Sequence, residues 1–326
     1  MAERTERVLV TGALGQIGSE LVQSLRARYG GDHVVASDMR TDASPEICEG
    51  GPCEKLDVTD GKMLAEICDR YKVDTIYHLA AILSGVGEQK PDLAFDVNMN
   101  GLKNVLDVAR ERKMHRVMVP SSIAVFGPTT PRDNTPQETL LRPTSMYGVT
   151  KVAGELLCDY YWQKYGLDVR GVRYPGLISY KTQPGGGTTD YAVAIYYDAI
   201  QHGKYTCFVS EDTVLPMMYM PDALRALIEL AEAPGEKLRY RNAYNLAALS
   251  FSAGELAASI KKRMPEFEVV YEPDFHQAIA DSWPKSIDDS DARADWNWSP
   301  EYDLDRMTDD MLAELRKQLQ RVGVED

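Results

Sequence analysis

The sequence predicts an α/β fold, a doubly wound parallel sheet with a smaller, mixed α/β lobe towards the C-terminus. Three observations carry this. Short β-branched runs alternate with longer amphipathic segments through the first half of the chain. The strand runs are largely apolar, as in Val8-Leu9-Val10, which suits a sheet covered on both faces. A glycine-spaced turn, Gly12-Ala-Leu-Gly15-Gln-Ile-Gly18, joins the first such strand to the first such helix.

In chain order, residues 7–11 read as a strand and 16–29 as a helix, followed by a strand at 33–37 and a helix at 61–71. Residues 74–79 and 116–120 are further strands. The helix between them has Leu102, Val105, Leu106 and Ala109 at helical spacing. Residues 145–165 predict a long helix and 168–173 another strand. After Pro175 the regular alternation ends. A Gly- and Thr-rich loop at 183–189 precedes a helix from about Tyr191, and strands at 244–246 and 268–271 mix with helices at 252–264 and 303–320. The expected division is residues 1–175 as a nucleotide-binding domain, to which some later segments return, and 176–326 mainly as a substrate-binding lobe.

The chain has 326 residues, more than one domain usually holds. Hydrophobic content of 44% and charged content of 26% are ordinary for a globular enzyme and exclude disorder. The net charge of −14 repels phosphate backbones and anionic lipid, and no basic run offsets it, so neither nucleic acid nor membrane is an expected partner. The run at 8–10 is too short for a signal-peptide core and no stretch reaches transmembrane length. Five irregularly spaced cysteines fit a reducing compartment, so a cytoplasmic location is expected. Cys48 and Cys53 flank a Gly-Gly-Pro turn and could meet. They read as part of a surface loop rather than a zinc site, and the five scattered histidines suggest no metal.

The glycine turn suits a dinucleotide. Gly12, Gly15 and Gly18 permit a tight turn, close backbone approach to a pyrophosphate and close helix–strand packing. Gln16 and Ile17 then open the helix whose N–H groups and dipole attract the phosphates. Asp38, twenty residues after Gly18 at the end of the second strand, is placed to bind ribose hydroxyls and to repel a 2′-phosphate. That favours NAD over NADP. Arg40 argues the other way, and Asp38 also reads as a turn cap. Asp57-Val58 suits an adenine contact or a simple turn. Leu79-Ala80-Ala81 ends a strand with small residues, which allows either a flat cofactor or tight packing.

Tyr147 and Lys151 lie one helical turn apart on one face. A free tyrosine, with a pKa of about 10, is a poor base at neutral pH. Making it effective takes about 4 kcal/mol of preferential phenolate stabilisation. One ammonium ~4 Å away supplies about that much at an effective dielectric near 20. A positively charged nicotinamide would add to it. Ser121-Ser122 follows a strand, where open α/β sheets bind ligands, and a hydroxyl there can hold the reacting oxygen. Asn98 opens the helix facing this region, as a cap or a relay contact.

In this order, the glycine turn, Asp38, Asp57-Val58, the serine pair and Tyr147-x-x-x-Lys151 resemble the extended short-chain dehydrogenase/reductase superfamily, over nearly the whole chain. The segment Asp288-Asp289-Ser290-x-Ala292 is part of the likeness. Within that superfamily the chain resembles the short-chain-type L-threonine 3-dehydrogenases. The segments that carry this are Leu79–Ser84, Pro120–Gly127, Arg173–Ser179, Pro184–Ala192, Pro216–Met220 and Ala280–Pro284. The resemblance implies NAD-dependent oxidation of a small-molecule substrate, L-threonine, at Cβ to give 2-amino-3-oxobutanoate. It implies Tyr147 as base, Lys151 as its cationic partner and ribose contact, and Ser122 as orienter of the substrate hydroxyl. Tyr174 and Pro175 are expected near the nicotinamide, with Asn98 and the Tyr–Lys pair also on the cofactor side. Ser84, Ser121, Thr188 and Thr189 are expected at the substrate, with the 183–189 loop as a lid. A homodimer through helices near 95–112 and 145–165 is also implied. Two rival functions are a nucleotide-sugar epimerase or dehydratase of the same superfamily and a non-catalytic NAD(H) sensor. The first lacks the expected cation, since Val214–Met218 is uncharged. The second often loses the Tyr or Lys, and both are present here.

Overall fold

The computed structural model describes residues 6–40, 45–183, 185 and 187–322, and its elements bear out the α/β pattern. The first eight strands are β1 (Val8–Thr11), β2 (Val34–Asp38), β3 (Cys53–Lys55), β4 (Thr75–His78), β5 (Arg116–Met118), β6 (Ser121–Ser122), β7 (Val169–Arg170) and β8 (Val172–Tyr174). Six of them form one sheet in the order β3-β2-β1-β4-β5-β7, with every neighbouring pair parallel. The order reverses between β1 and β4, so a crevice opens beyond their carboxyl ends, where ligands of such sheets bind.

The helices of this half are α1 (Gln16–Tyr29), α2 (Pro45–Glu49), α3 (Gly61–Tyr71), α4 (Ser84–Gln89), α5 (Pro91–Phe95), α6 (Leu102–Glu111) and α7 (Met146–Tyr165). Asp60 caps α3 by accepting from the N–H groups of Lys62 and Met63. One face of the sheet is buried under α3, α6 and α7, where Leu9, Ile76 and Val117 join Leu64, Val105, Leu106 and Cys158 in a single apolar cluster. A π-helical turn, Asp96–Gly101, leads into α6. The predicted strand at 168–173 is two strands. They part at Gly171, where a Cβ would lie 2.1 Å from the Val119 carbonyl oxygen.

The chain continues through β9 (Gly176–Ile178), α8 (Tyr191–His202), β10 (Lys204–Cys207), β11 (Val214–Tyr219), α9 (Met220–Glu232), β12 (Tyr244–Asn245), β13 (Leu249–Ser252), α10 (Ala253–Lys261), β14 (Glu268–Tyr271), α11 (Phe275–Asp281), α12 (Ser290–Trp296) and α13 (Leu304–Val322). It forms two compact units. The first takes residues 1–125, 144–173 and 224–244; the second takes 126–143, 174–223 and 245–326.

In the first unit, buried Arg170 donates to the carbonyls of Leu230, Ala231 and Ala233 at the end of α9 and pairs with Asp168 at 2.8 Å. This ties residues 224–244 back to the sheet. In the second unit, β11 runs parallel to β9 and antiparallel to β13. Ser252 and Glu255 form a capping box on α10. Asp289, from the late motif, accepts from Trp298 Nε1 and from the N–H of Ala247, so its carboxylate organises this unit's own backbone. No helix among the described residues is long and apolar enough to cross a membrane.

Candidate active site

The glycine turn has the shape that a pyrophosphate needs. Gly12 has φ +69°, and a Cβ there would stand 2.6 Å from the Ala80 nitrogen. A Cβ on Gly18 would stand 2.2 Å from the Gly12 carbonyl oxygen. The turn therefore packs directly on the chain leaving β4, where Leu79, Ala80 and Ala81 follow. Gly15 is the N-cap of α1 and has no side chain to place over the first turn, which Gln16 and Ile17 open. These residues fit a dinucleotide phosphate.

Beside them, at the end of β2, the Asp38 carboxylate accepts from the Leu14 N–H at 3.0 Å and from the Arg40 N–H and Nε at 3.0 and 3.2 Å. Arg40 is thus paired with Asp38. A cavity of about 190 Å³ opens here, lined by Ala13, Leu14, Asp38, Arg40, Cys48 and Cys53 among others. The β3 residues Glu54 and Lys55 complete that wall; Asp57 and Val58 do not line it. Asp57 accepts from the N–H and hydroxyl of Thr59, and buried Val58 packs in the core beside Gly101.

Helix α7 carries the second group. Ser145 caps it by accepting from the Gly148 N–H, which fixes the first turn at Met146 and Tyr147. Tyr147 and Lys151 are both half-buried, with Lys151 Nζ 5.6 Å from the centre of the Tyr147 ring. The ammonium donates to the Pro120 carbonyl at 2.8 Å, just beyond β5. A narrow cavity of about 30 Å³ is lined by Lys151 together with His78, Ala80, Ala81, Asn98, Ser121, Thr150 and Glu155. Asn98 donates to Thr150 Oγ1 at 3.0 Å and exchanges two hydrogen bonds with the backbone of Ile82. Buried Ser84 opens α4, and that helix comes close to Tyr147 at Gly87, where a Cβ would lie 3.9 Å from the Tyr147 Cβ.

The two serines of β6 have different surroundings. Ser121 is buried and donates to Glu155 Oε1 at 2.5 Å, and Arg173 holds the same carboxylate at 2.8 and 3.0 Å. The Ser121 hydroxyl is thus engaged by Glu155, while Ser122, the next residue of the strand, turns to the opposite face. Ser122 is half-buried and accepts from the Ala124 N–H. Glu155 and Arg173 were not singled out by sequence. The only available signal was Glu155 lying one further turn along the Tyr147–Lys151 face.

The remaining expected residues lie in the second unit. Tyr174 is buried and donates to the Ala223 carbonyl at 2.6 Å, next to buried Pro175. Thr188 is buried. Thr189 packs over β9 at Gly176, where a Cβ would lie 2.7 Å from Thr189 Cγ2. The Asp190 carboxylate accepts from the N–H groups of Gly185 and Gly187, which ties this glycine-rich loop to the start of α8. Pro184 and Gly186 lie outside the described residues.

His78, also not foreseen, sits at the end of β4 and is hydrogen-bonded to Thr11 Oγ1 at 2.9 Å. Burial, with a smaller contribution from the Lys151 charge, lowers its pKa to about 3. The imidazole is therefore neutral at working pH and adds no second cation beside Lys151. The unfolded chain titrates this group near 6.5, as ordinary histidine does. Its folding contribution is complete above about 6.5 and is lost as pH falls from there towards the folded value, by ~1.4 kcal/mol per pH unit. Between pH 7 and pH 5, wild-type protein should therefore lose about 2 kcal/mol more stability than His78→Gln in matched denaturant titrations. Equal losses would contradict a buried neutral histidine.

Comparison with known proteins agrees with this geometry. Residues 8–247 match the NAD dependent epimerase/dehydratase family. An uncharacterized epimerase/dehydratase of Staphylococcus saprophyticus is 52% identical over 308 residues, covering 94% of this chain and 96% of that protein. The crystal structure of L-threonine dehydrogenase from Clostridium difficile superposes with a TM-score of 0.94 at 54% identity, covering 97% of this chain and 99% of that one. An L-threonine dehydrogenase from Cupriavidus necator in its holo form gives 0.93 at 52% identity, covering 95% and 99%. With the glycine turn, Asp38 and the Tyr147–Lys151 pair in place, the chain belongs to the NAD dependent epimerase/dehydratase family.

Proposed function

We propose that this protein oxidises the Cβ hydroxyl of L-threonine to 2-amino-3-oxobutanoate. The observation that carries the reading is the Tyr147–Lys151 pair, with Lys151 lining one cavity with Ala80, on which the dinucleotide turn packs, in a chain similar over nearly its whole length to L-threonine dehydrogenases. Gly12, Gly15, Gly18 and Asp38 would hold NAD+, which supplies the hydride acceptor. The Tyr147 oxygen accepts the proton of the substrate hydroxyl. The Lys151 ammonium, anchored on the Pro120 carbonyl, favours the phenolate that does so. Ser122 donates to the reacting oxygen and keeps it facing Tyr147. Ser84, Thr188 and Thr189 recognise the amino-acid end, while Tyr174 and Pro175 flank the nicotinamide. Ser121 and Asn98 act one layer back, through Glu155 and Thr150.

A nucleotide-sugar substrate fits less well, because Leu215–Tyr219 of β11 is buried and carries no cation to neutralise a diphosphate. NADH formation should be measured with L-threonine, D-threonine, L-allo-threonine, L-serine and a UDP-sugar. The expected outcome is turnover with L-threonine well above the others and none with the UDP-sugar. No NADH from any of the four amino acids would overturn the substrate and leave the cofactor reading standing.

A cytoplasmic homodimer is part of this reading, with contacts through residues near 95–112 and 145–165. Phe95, Val149, Leu156 and Tyr160 support it as large apolar side chains exposed on those two segments. Light scattering should give twice the chain mass for wild type and a monomer for Leu156→Glu. A monomeric wild type would contradict the dimer.

A further inference from the structure

Cys48 and Cys53 are joined as a disulfide with Cα atoms 5.4 Å apart, and both line the 190 Å³ cavity beside Asp38. The proposed reaction uses neither. Two features hold the pair in place independently of the bond. Cys53 lies on β3 in register with Ala36 of β2, so the sheet fixes it. Buried Arg26 donates to the carbonyls of Ile47 and Pro52, the residues just before each cysteine, and also to Val34. The loop therefore keeps both sulfurs within bonding reach once reduced. Cys48 is exposed, so a small reagent can reach it.

We propose that Cys48–Cys53 is a reversible thiol-oxidation site that sets the affinity of the adenosine end of the NAD cleft. The disulfide form keeps the cavity wall closed and binds the dinucleotide more tightly. The dithiol form leaves the Cys48 side of the wall held by the Arg26 hydrogen bond alone and binds it more weakly. The proposal rests on assigning this cavity to the adenosine half of NAD. The direction follows from ordering: a wall already tied to β3 loses less freedom when ligand binds. Oxidation proceeds by exchange with a low-molecular-weight disulfide such as glutathione disulfide. The Cys48 thiolate attacks, expels one glutathione thiolate and forms a mixed disulfide. The Cys53 thiolate then displaces the second glutathione. Two protein thiols lose two electrons and two protons, and one glutathione disulfide becomes two glutathione thiols.

The other cysteines do not compete. Cys68, Cys158 and Cys207 are buried. Burial pushes the thiols of Cys68 and Cys207 up to about 12 and about 11 and that of Cys158 higher still. Coupling must also be reciprocal: if the disulfide tightens NAD binding, NAD must protect the disulfide by the same factor.

The test poises full-length protein in glutathione buffers of fixed composition, with and without saturating NAD+, and reads the oxidised fraction by alkylation and mass spectrometry. Calorimetry gives the NAD+ Kd of each form. The disulfide form should bind about fivefold tighter or better, and NAD+ should shift the redox midpoint by the same factor. Cys48→Ser should stay folded, bind NAD+ as the reduced protein does and form no internal disulfide in these buffers, and Cys53→Ser should stop at the mixed disulfide on Cys48. Equal Kd values for two forms that both bind NAD+, or a midpoint indifferent to NAD+, would overturn the proposal. Failure of both forms to bind NAD+ would overturn the cavity assignment, and the proposal with it.

Discussion

The hydrogen bond from Lys151 to the Pro120 carbonyl is the contact around which the site is built. It fixes a cation at the carboxyl end of the sheet and ties α7 to the chain between β5 and β6. Tyr147 then falls one turn before the cation and Glu155 one turn after it. The Ser145 cap, accepting from Gly148, fixes the turn that carries Tyr147, and Ser121 and Arg173 hold Glu155. A buried carboxylate is tolerable only when it is paired and hydrogen-bonded. The Glu155–Arg173 pair therefore also fixes the strand that presents Ser122. Neutral His78 leaves Lys151 without a competing charge from that side.

The cofactor side depends on a different constraint, the absence of side chains. Gly12 and Gly18 let α1, β1 and the chain after β4 approach within distances that no Cβ allows. Asp38 works twice there, bracing the turn through Leu14 and facing the cavity where a ribose would lie. Its ion pair with Arg40 bears on the choice between NAD and NADP. A guanidinium already engaged by a carboxylate is a poor receptor for a 2′-phosphate.

Much of the fold could be read from sequence because it is set locally. The helices at Gln16–Tyr29 and Gly61–Tyr71 end where their glycine, Asp60 cap and apolar period say they should. The π-helical turn before α6 was not legible. Its Asn98 is fixed by Ile82 and Thr150, contacts that exist only once the chain has folded. The same division holds at the site. The spacing of Tyr147 and Lys151 places them on one face by helix geometry alone. Nothing in Ser121-Ser122 tells which hydroxyl turns inward, and nothing in Arg173 announces a partner eighteen residues earlier. Asp57-Val58 read as an adenine contact or a turn, and sequence alone did not show that the Val58 side chain fills the core. Cys48 and Cys53 read as a pair able to meet, but their place at the cavity wall needed the register of β3 on β2.

The most direct measurement compares Tyr147→Phe with wild type for NAD+ affinity and for L-threonine turnover. The substitution removes one oxygen and leaves the glycine turn, Asp38 and Lys151 untouched. NAD+ binding should stay within about twofold while turnover falls at least ~100-fold, the usual scale of a general base. A variant that retained most of its turnover would contradict proton transfer to Tyr147.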